Sequence, residues 1–495
     1  MKAIKKVEVF EKEGFSPVKR PDLPPYRMSI PFDWAGDPFN DPNWRFQIQT
    51  LRYLMIYFEA YKETEEYRYL EILLSWFEDW WVSSKSTPNE FTWHDMATGI
   101  RAEKIHILAS ELESSGIKLP RWFKEMILKH VAVIRKEGFV RTSHNHGLYA
   151  AHGLRCLAEH LGVGQKKNVI QRSYELVSEI IKNQFDENYV HKEHSPHYHH
   201  LVLKSLKDYR NSGLYSGLSI LDSYIEKVEA VSRHLLLPDG REVPFGDTDN
   251  QKERNNLGNQ MLSGNELWCT SGYAIYKNGL SYLCMTNNYN SNIHKHWDNL
   301  SFILGKDGQD ILVDPGKYKY VNNEIREKVI SSAAHNTISF ECCPWSGSNL
   351  RKNEMELKGA LEEKGVLFSG CILLKIKDEF IRVFRSVNFD YNLSKLSVVD
   401  KVVNDRKNFR PAYSRYVLHK DARLISCNRN SVLFSFGKIK VNFVIESSSS
   451  GYNSLDQLYM MDKTPVSYEH GSYFDCYSLQ VKNIGTTELS AFIIH

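Results

Sequence analysis

The segment SNIHKHWDNLSF (291–302) carries His294, His296 and Asp298 at alternate positions, just ahead of the apolar run LSFILG. Alternate side chains on a strand share a face, so the three are expected to project together, an arrangement that invites a metal ion. Asp314 in ILVDPGKY and His335 in SSAAHNTISF add an oxygen and an imidazole donor at strand ends. Two imidazoles and one carboxylate satisfy zinc with one position left open. His-x-His alone is weakly specific, and two solvated histidines at a turn are the competing reading.

A second group is HNHG (144–147), where Asn145 and His146 open an apolar-periodic helix. An amide, an imidazole and free helix N–H groups can receive an anionic oxygen there, although Asn145 serves equally well as a simple N-cap. A third is YVHKEHSPHYHH (189–200), which contains Glu193, His194, Tyr198 and four more histidines. So many ionisable rings are costly to bury, so the stretch is either a solvated loop or the wall of a functional cleft. Tyr198 there can give or take a proton if a neighbouring cation lowers its pKa. In WHDMATGIR (93–101), Trp93, His94 and Arg101 fit the inner rim of a helical ring, with Arg101 meeting an acidic ligand; an arginine capping a helix is the plainer alternative. Asp247 and Asp249 in FGDTDN have the chemistry of glycosidase acids but read more simply as an Asp-rich turn.

The elements that must position these residues fall into two kinds. Up to about residue 235, apolar residues recur at three and four in the segments 44–61, 67–82, 93–112, 120–137, 146–161, 169–185 and 214–235. Short connections make consecutive antiparallel helix pairs, and several helices are apolar on two sides, which fits a ring of pairs better than a four-helix bundle. Trp44, Trp76, Trp80 and Trp81 sit at helical spacing and read as core. From about residue 264 the chain turns to short β-branched and aromatic runs punctuated by turn residues, the pattern of an antiparallel sandwich. The resulting division is 1–236 helical, 237–263 linker and 264–495 sandwich.

Composition narrows the function classes. With 63 Lys and Arg against 60 Asp and Glu over 495 residues, the net charge of +3 is too small to argue for a nucleic-acid binder. The 10 Trp, 27 Tyr and 24 Phe suit flat sugar faces, and the 19 His suit proton or metal chemistry. The eight cysteines lack CxxC spacing and read as thiols. No apolar run approaches a membrane span, and the N-terminus lacks the apolar core of a secretory signal. A cytoplasmic setting is therefore expected for the chain as it stands, and a periplasmic or secreted one if a leader has been removed. Oligomeric state is left open.

The ordered set of helices, NHG, SPHYH, GDTD, HKHWD, LVDPGKYKY and HNT closely resembles the heparinase II/III-like polysaccharide lyases, which include heparinase III and related alginate lyases. The likeness spans most of the chain. It implies an N-terminal (α/α) toroid, an incomplete helical barrel, followed by a C-terminal antiparallel β-sandwich. It implies that Asn145 and His146 neutralise a uronate carboxylate, that Tyr198 and His294 are catalytic, and that His296, Asp314 and His335 hold a largely structural zinc. Trp93, His94, Arg101 and Glu193 are expected to contact substrate. The implied reaction is β-elimination on an acidic, uronate-containing polysaccharide, such as a glycosaminoglycan, alginate or capsule polymer, giving 4,5-unsaturated ends. The alternatives are a weakly catalytic glycan-handling protein of polysaccharide biosynthesis and a glycoside hydrolase using Asp247 or Glu193 as acid.

Overall fold

The computed structural model describes residues 2–494 except positions 19, 21, 250–264, 321–322, 341–344, 377–378, 405–411, 448–458, 470 and 484–485. Most of the expected linker and two of the cysteines, Cys342 and Cys343, therefore lie outside the described residues. The chain divides into two compact units, one of 1–184 and 205–225 and the other of 185–204 and 226–495.

The helices are α1 (Lys2–Glu13), α2 (Pro42–Gln49), α3 (Met55–Thr64), α4 (Arg68–Ser86), α5 (Asp95–Ser114), α6 (Arg121–Ile134), α7 (His146–Leu157), α8 (Val163–Gln184), α9 (Pro196–Asn211), α10 (Ser219–Ser232) and α11 (Glu324–Ile330). The periodicity over 44–61 suggests one helix, but the backbone at Leu51 is left-handed (φ 54°) and separates α2 from α3. In α4, Tyr69, Leu70, Leu73, Trp76, Phe77, Trp80 and Trp81 are all buried, the three-and-four spacing of a core-facing stripe. Helix α5 is buried continuously from Ala97 to Ala102 because α7 comes very close: a Cβ on Gly99 would lie 2.2 Å from the Tyr149 carbonyl oxygen. Only glycine permits that approach. No described helix is long and apolar enough to cross a membrane.

The second unit is built on strands β1 (Asn265–Thr270), β2 (Tyr273–Asn278), β3 (Ser281–Thr286), β4 (Ser301–Lys306), β5 (Gln309–Leu312), β6 (Ile338–Phe340), β7 (Glu356–Glu362), β8 (Gly365–Ile376), β9 (Glu379–Asp390), β10 (Lys395–Asn404), β11 (Ala412–Val417), β12 (Ala422–Cys427), β13 (Ser431–Phe436), β14 (Ile439–Ser447), β15 (Tyr459–Val466), β16 (Phe474–Asn483) and β17 (Thr486–Ile494). They form antiparallel sheets ordered β1-β2-β3-β4-β5, β15-β16-β11-β6 and β12-β13-β14-β17-β10-β9-β8-β7. One apolar core joins residues from all three sheets, among them Phe302, Ile338, Val387 and Phe443. Along β9 the inward row Ile381, Val383, Val387 and Phe389 is interrupted by Arg385, which is 1% exposed. Its guanidinium meets Asp400 at 2.7 and 2.8 Å and donates to the carbonyls of Leu300 and Asn336. A buried cation thus ties two loops to the sheet, and both loops carry residues of the site below.

Candidate active site

In the second unit, the first turn of α9 presents Tyr198. Pro196 starts the helix with the backbone angle it needs, and Ser195 Oγ accepts the Tyr198 N–H at 3.4 Å. The histidines around Tyr198 are not a solvated loop: His191, His194, His197, His199 and His200 are each at most 8% exposed. Their polarity is absorbed locally. Burial pushes His194 and His199 down to about 3, so both rings are neutral. His197 Nδ1 lies 3.0 Å and His200 Nδ1 2.9 Å from the Glu242 carboxylate.

The segment bearing His294 and His296 is a loop and not a strand, because His294 has a left-handed backbone (φ 53°) that breaks the alternation. Asp298 accordingly leaves the group and pairs with Lys295. His294 and His296 still converge, through a residue read as part of a turn. Asp247 Oδ2 lies 3.0 Å from His294 Nδ1, and Asp247 Oδ1 lies 3.0 Å from His296 Nε2 and 2.7 Å from Arg326 Nη2. Gly246 makes this possible: with φ 59°, its place for a Cβ is 2.5 Å from the His194 carbonyl oxygen and 2.7 Å from that of His294. The Asp247 N–H then donates to the His294 carbonyl at 3.0 Å. Burial alone would raise the Asp247 pKa, but the two rings and Arg326 hold the carboxyl well below its usual range.

The Tyr198 ring stacks on His294 with centroids 3.5 Å apart and planes 14° apart. Tyr320, which sequence reasoning did not single out although it ends LVDPGKYKY, places its hydroxyl 2.9 Å from the Tyr198 hydroxyl and 3.0 Å from His294 Nδ1. Arg326, also missed, is set by the cap of α11, where Asn323 Oδ1 accepts the Arg326 N–H at 2.9 Å. Glu193 is buried beside His294, its Oε2 3.5 Å from Nε2, longer than an ordinary hydrogen bond. Burial, together with Asp247, Glu193 and Asp249, raises the Tyr198 pKa, so the group is a phenol at neutral pH.

His296, Asp314 and His335 are fully buried, and each offers a ligand atom within 4.8 Å of the others. His335 Nδ1 donates to Asp314 Oδ2 at 2.9 Å, while His335 Nε2 and His296 Nδ1 have no hydrogen-bond partner among the described residues. Orphaned imidazole nitrogens beside a carboxylate fit a metal ion.

In the first unit, Asn145 precedes α7, but its side chain makes no cap bond. His146 starts the helix, with Nδ1 3.0 Å from Arg141 Nη2 and 3.4 Å from Asp95 Oδ1. His94 Nδ1 is 3.3 Å from the same oxygen. Two expectations are corrected here. Arg101 is fully buried and its donors are committed to the carbonyls of Gln49 and Thr92 and to His130 Nε2, so it meets no ligand. Trp93 is half-buried, and its ring packs on Trp80 and His130 instead of lying open as a sugar platform.

Comparison with known proteins gives a consistent picture. The heparinase II/III N-terminus matches residues 5–271, and the heparinase II/III-like C-terminal domain matches residues 267–489. A crystal structure of heparinase III superposes with a TM-score of 0.78 at 16% identity, covering 99% of this chain and 84% of the other. A heparinase III gene product gives 0.74 at 15%, covering 99% and 83%. The heparan sulfate lyase HepC of Pedobacter heparinus gives 0.67 at 14%, covering 99% and 82%. No curated protein matches the sequence. The helical part followed by antiparallel sheets is the heparinase III fold, and the chain belongs to the heparinase II/III-like family of polysaccharide lyases.

Proposed function

We propose that this protein cleaves an acidic, uronate-containing polysaccharide of the glycosaminoglycan type by β-elimination, leaving a 4,5-unsaturated uronate. The observation that carries the proposal is the Tyr198–His294–Tyr320 cluster, in which a phenol lies against an imidazole and shares a hydrogen-bond chain with it. The names of the heparinase III and heparan sulfate lyase structures support the choice of glycan class.

The C5 proton of a uronate is weakly acidic, and the neighbouring carboxylate opposes the carbanion that its removal creates. Asn145 and His146 are assigned to that carboxylate, withdrawing charge as an oxyanion stabiliser does. Tyr198, held as a phenol, donates to the departing C4 oxygen, and His294 accepts the C5 proton. Asp247 is unsuited to the acid role that hydrolysis would need, because His294, His296 and Arg326 keep it ionised. His296, Asp314 and His335 are assigned to zinc, which when bound supplies a rigid cross-link beside the loop that bears His294.

An ultraviolet assay over a panel of acidic glycans tests the reaction: absorbance of a conjugated product is expected, and saturated uronate ends would overturn it in favour of hydrolysis. On the substrate so found, Tyr198→Phe should lower kcat 10²–10⁴-fold, about 3–5 kcal/mol of barrier, with KM and Tm nearly unchanged. Near-normal turnover by that variant would remove Tyr198 from the chemistry.

A further inference from the structure

Asp247 touches neither substrate nor metal in the reaction above, yet both of its oxygens are used on the rings that do. Oδ2 faces His294 Nδ1, and Oδ1 faces His296 Nε2, each at 3.0 Å. The residue is 1% exposed and is anchored through its main chain: its N–H donates to the His294 carbonyl, and its own carbonyl accepts from Ser195 Oγ at 3.0 Å. Arg326 Nη2 at 2.7 Å completes the surroundings of Oδ1, and Arg326 Nη1 lies 3.4 Å from His296 Nε2, farther from that nitrogen than the carboxylate is.

A carboxylate paired with a guanidinium accepts hydrogen bonds and donates none, so each ring nitrogen 3.0 Å from it carries the hydrogen. A neutral imidazole has a single N–H, so the far nitrogens, His294 Nε2 and His296 Nδ1, are left with lone pairs; Glu193 Oε2, 3.5 Å from His294 Nε2, is beyond ordinary hydrogen-bond reach and loses to Asp247 at 3.0 Å. The second of these is one of the orphaned buried atoms in the group with Asp314 and His335. The Tyr320 hydroxyl, also 3.0 Å from His294 Nδ1, acts as a second acceptor of that N–H and keeps its own hydrogen for the Tyr198 hydroxyl.

We propose that Asp247 is a positioning residue that fixes the tautomers of two histidines with one carboxylate, presenting Nε2 of His294 to the reacting proton and Nδ1 of His296 to a divalent metal ion. The His294 half rests on the lyase reading; the tautomers themselves do not. One residue thereby couples the metal group to the proton-transfer group, because displacing its carboxylate releases both rings at once.

The test is ring-nitrogen NMR of the full-length, zinc-loaded protein labelled with ¹⁵N-histidine, at one near-neutral pH, with His294 and His296 assigned from the spectra of their alanine variants. The expected wild-type spectrum has His294 protonated on Nδ1 and His296 protonated on Nε2. Asp247→Asn keeps the shape but offers one acceptor oxygen and one donor NH₂, so it can hold only one ring in its native tautomer. In that variant His294 should switch, since a metal on Nδ1 would hold His296 protonated on Nε2, with kcat down at least about 10²-fold, KM within about threefold and circular dichroism unchanged. A wild-type ring protonated on the opposite nitrogen would falsify the proposal, as would an Asp247→Asn protein that keeps both tautomers. The first of these results overturns the proposal even if the variant does not fold. Absence of lyase activity with the expected spectrum would instead count against the lyase reading alone.

Discussion

Two clusters in this protein share one composition, two histidines and an aspartate with ligand atoms within 4.8 Å of one another, yet their surroundings suit opposite charges. In the helical unit, His94 and His146 keep about a quarter of their side chains exposed, and Asp95 is already taken by Arg141 at 2.7 Å. A cation entering there would have to displace a guanidinium. In the second unit, His296, Asp314 and His335 have no exposed surface, and two imidazole nitrogens lack partners among the described residues. The lesson is that residue type and proximity do not choose the ligand; what already competes for the carboxylate does.

The largest effect expected from this contrast is at His335. His335→Ala should abolish stoichiometric zinc in metal analysis and cost at least about 4 kcal/mol of stability, the class of loss seen when a metal tie is removed. His94→Ala should change neither. Zinc lost equally from both variants would erase the difference between the two clusters.

A smaller effect, on rate and not on metal, is expected in the helical unit. His146→Ala should slow turnover about 10²-fold, close to 3 kcal/mol of barrier, through an uncompensated uronate charge, with zinc content unchanged. Combining it with Tyr198→Phe should give less than the product of the two losses if both act on the same step.

The smallest effect sharpens the comparison with a third cluster, His197, His200 and Glu242, where burial is present but the carboxylate is already paired with both rings. Glu242→Gln should cost about 2 kcal/mol and no metal. Burial raises the Glu242 pKa, but the bonds from His197 and His200 reverse this and bring it down to about 2. The carboxylate's contribution is therefore full above its ordinary value of 4.5 and is lost as pH falls toward 2. Burial lowers His200 but Glu242 outweighs it and raises the ring above 6.5, so that contribution is full below 6.5 and fades as pH rises past the raised value. The Tm gap between wild type and variant should thus be widest between about pH 4.5 and 6.5. A gap that is flat from pH 3 to 9 would show that the charges of the pair add nothing.

Much of this was legible in residue order. The three-and-four periodicity of α4 and the alternation in β9 each depend on one buried face, and a face leaves its period in the sequence. Left-handed backbone at Leu51 and His294 left no such trace, since positive φ is uncommon for any residue but glycine and even histidine adopts it only occasionally, so a helix was read through one and a strand through the other. Helix α9 was hidden because the residue that neutralises its histidines, Glu242, lies more than 40 positions away in sequence. Arg101 was read as a cation on the inner rim, meeting an acidic ligand, for a similar reason: its acceptors on Gln49 and Thr92 are carbonyls, and every residue has one. Asp247 was the costliest misassignment, since it reads as part of an Asp-rich turn and in fact joins both histidines. The available signal was the glycine before it in FGD, a position that admits no side chain between two histidine carbonyls.

The order of the eight-stranded sheet has a consequence for synthesis. Strand β17 lies between β10 and β14, although all of its sheet neighbours precede it in sequence. As the nascent chain leaves the ribosome, the ribbons β7–β10 and β12–β14 emerge first, each with an open edge where β17 will later sit. Open edges are templates for pairing with other chains. Completion of the sheet must therefore wait until β17 has been made, and until then both edges stay open to pairing with other chains.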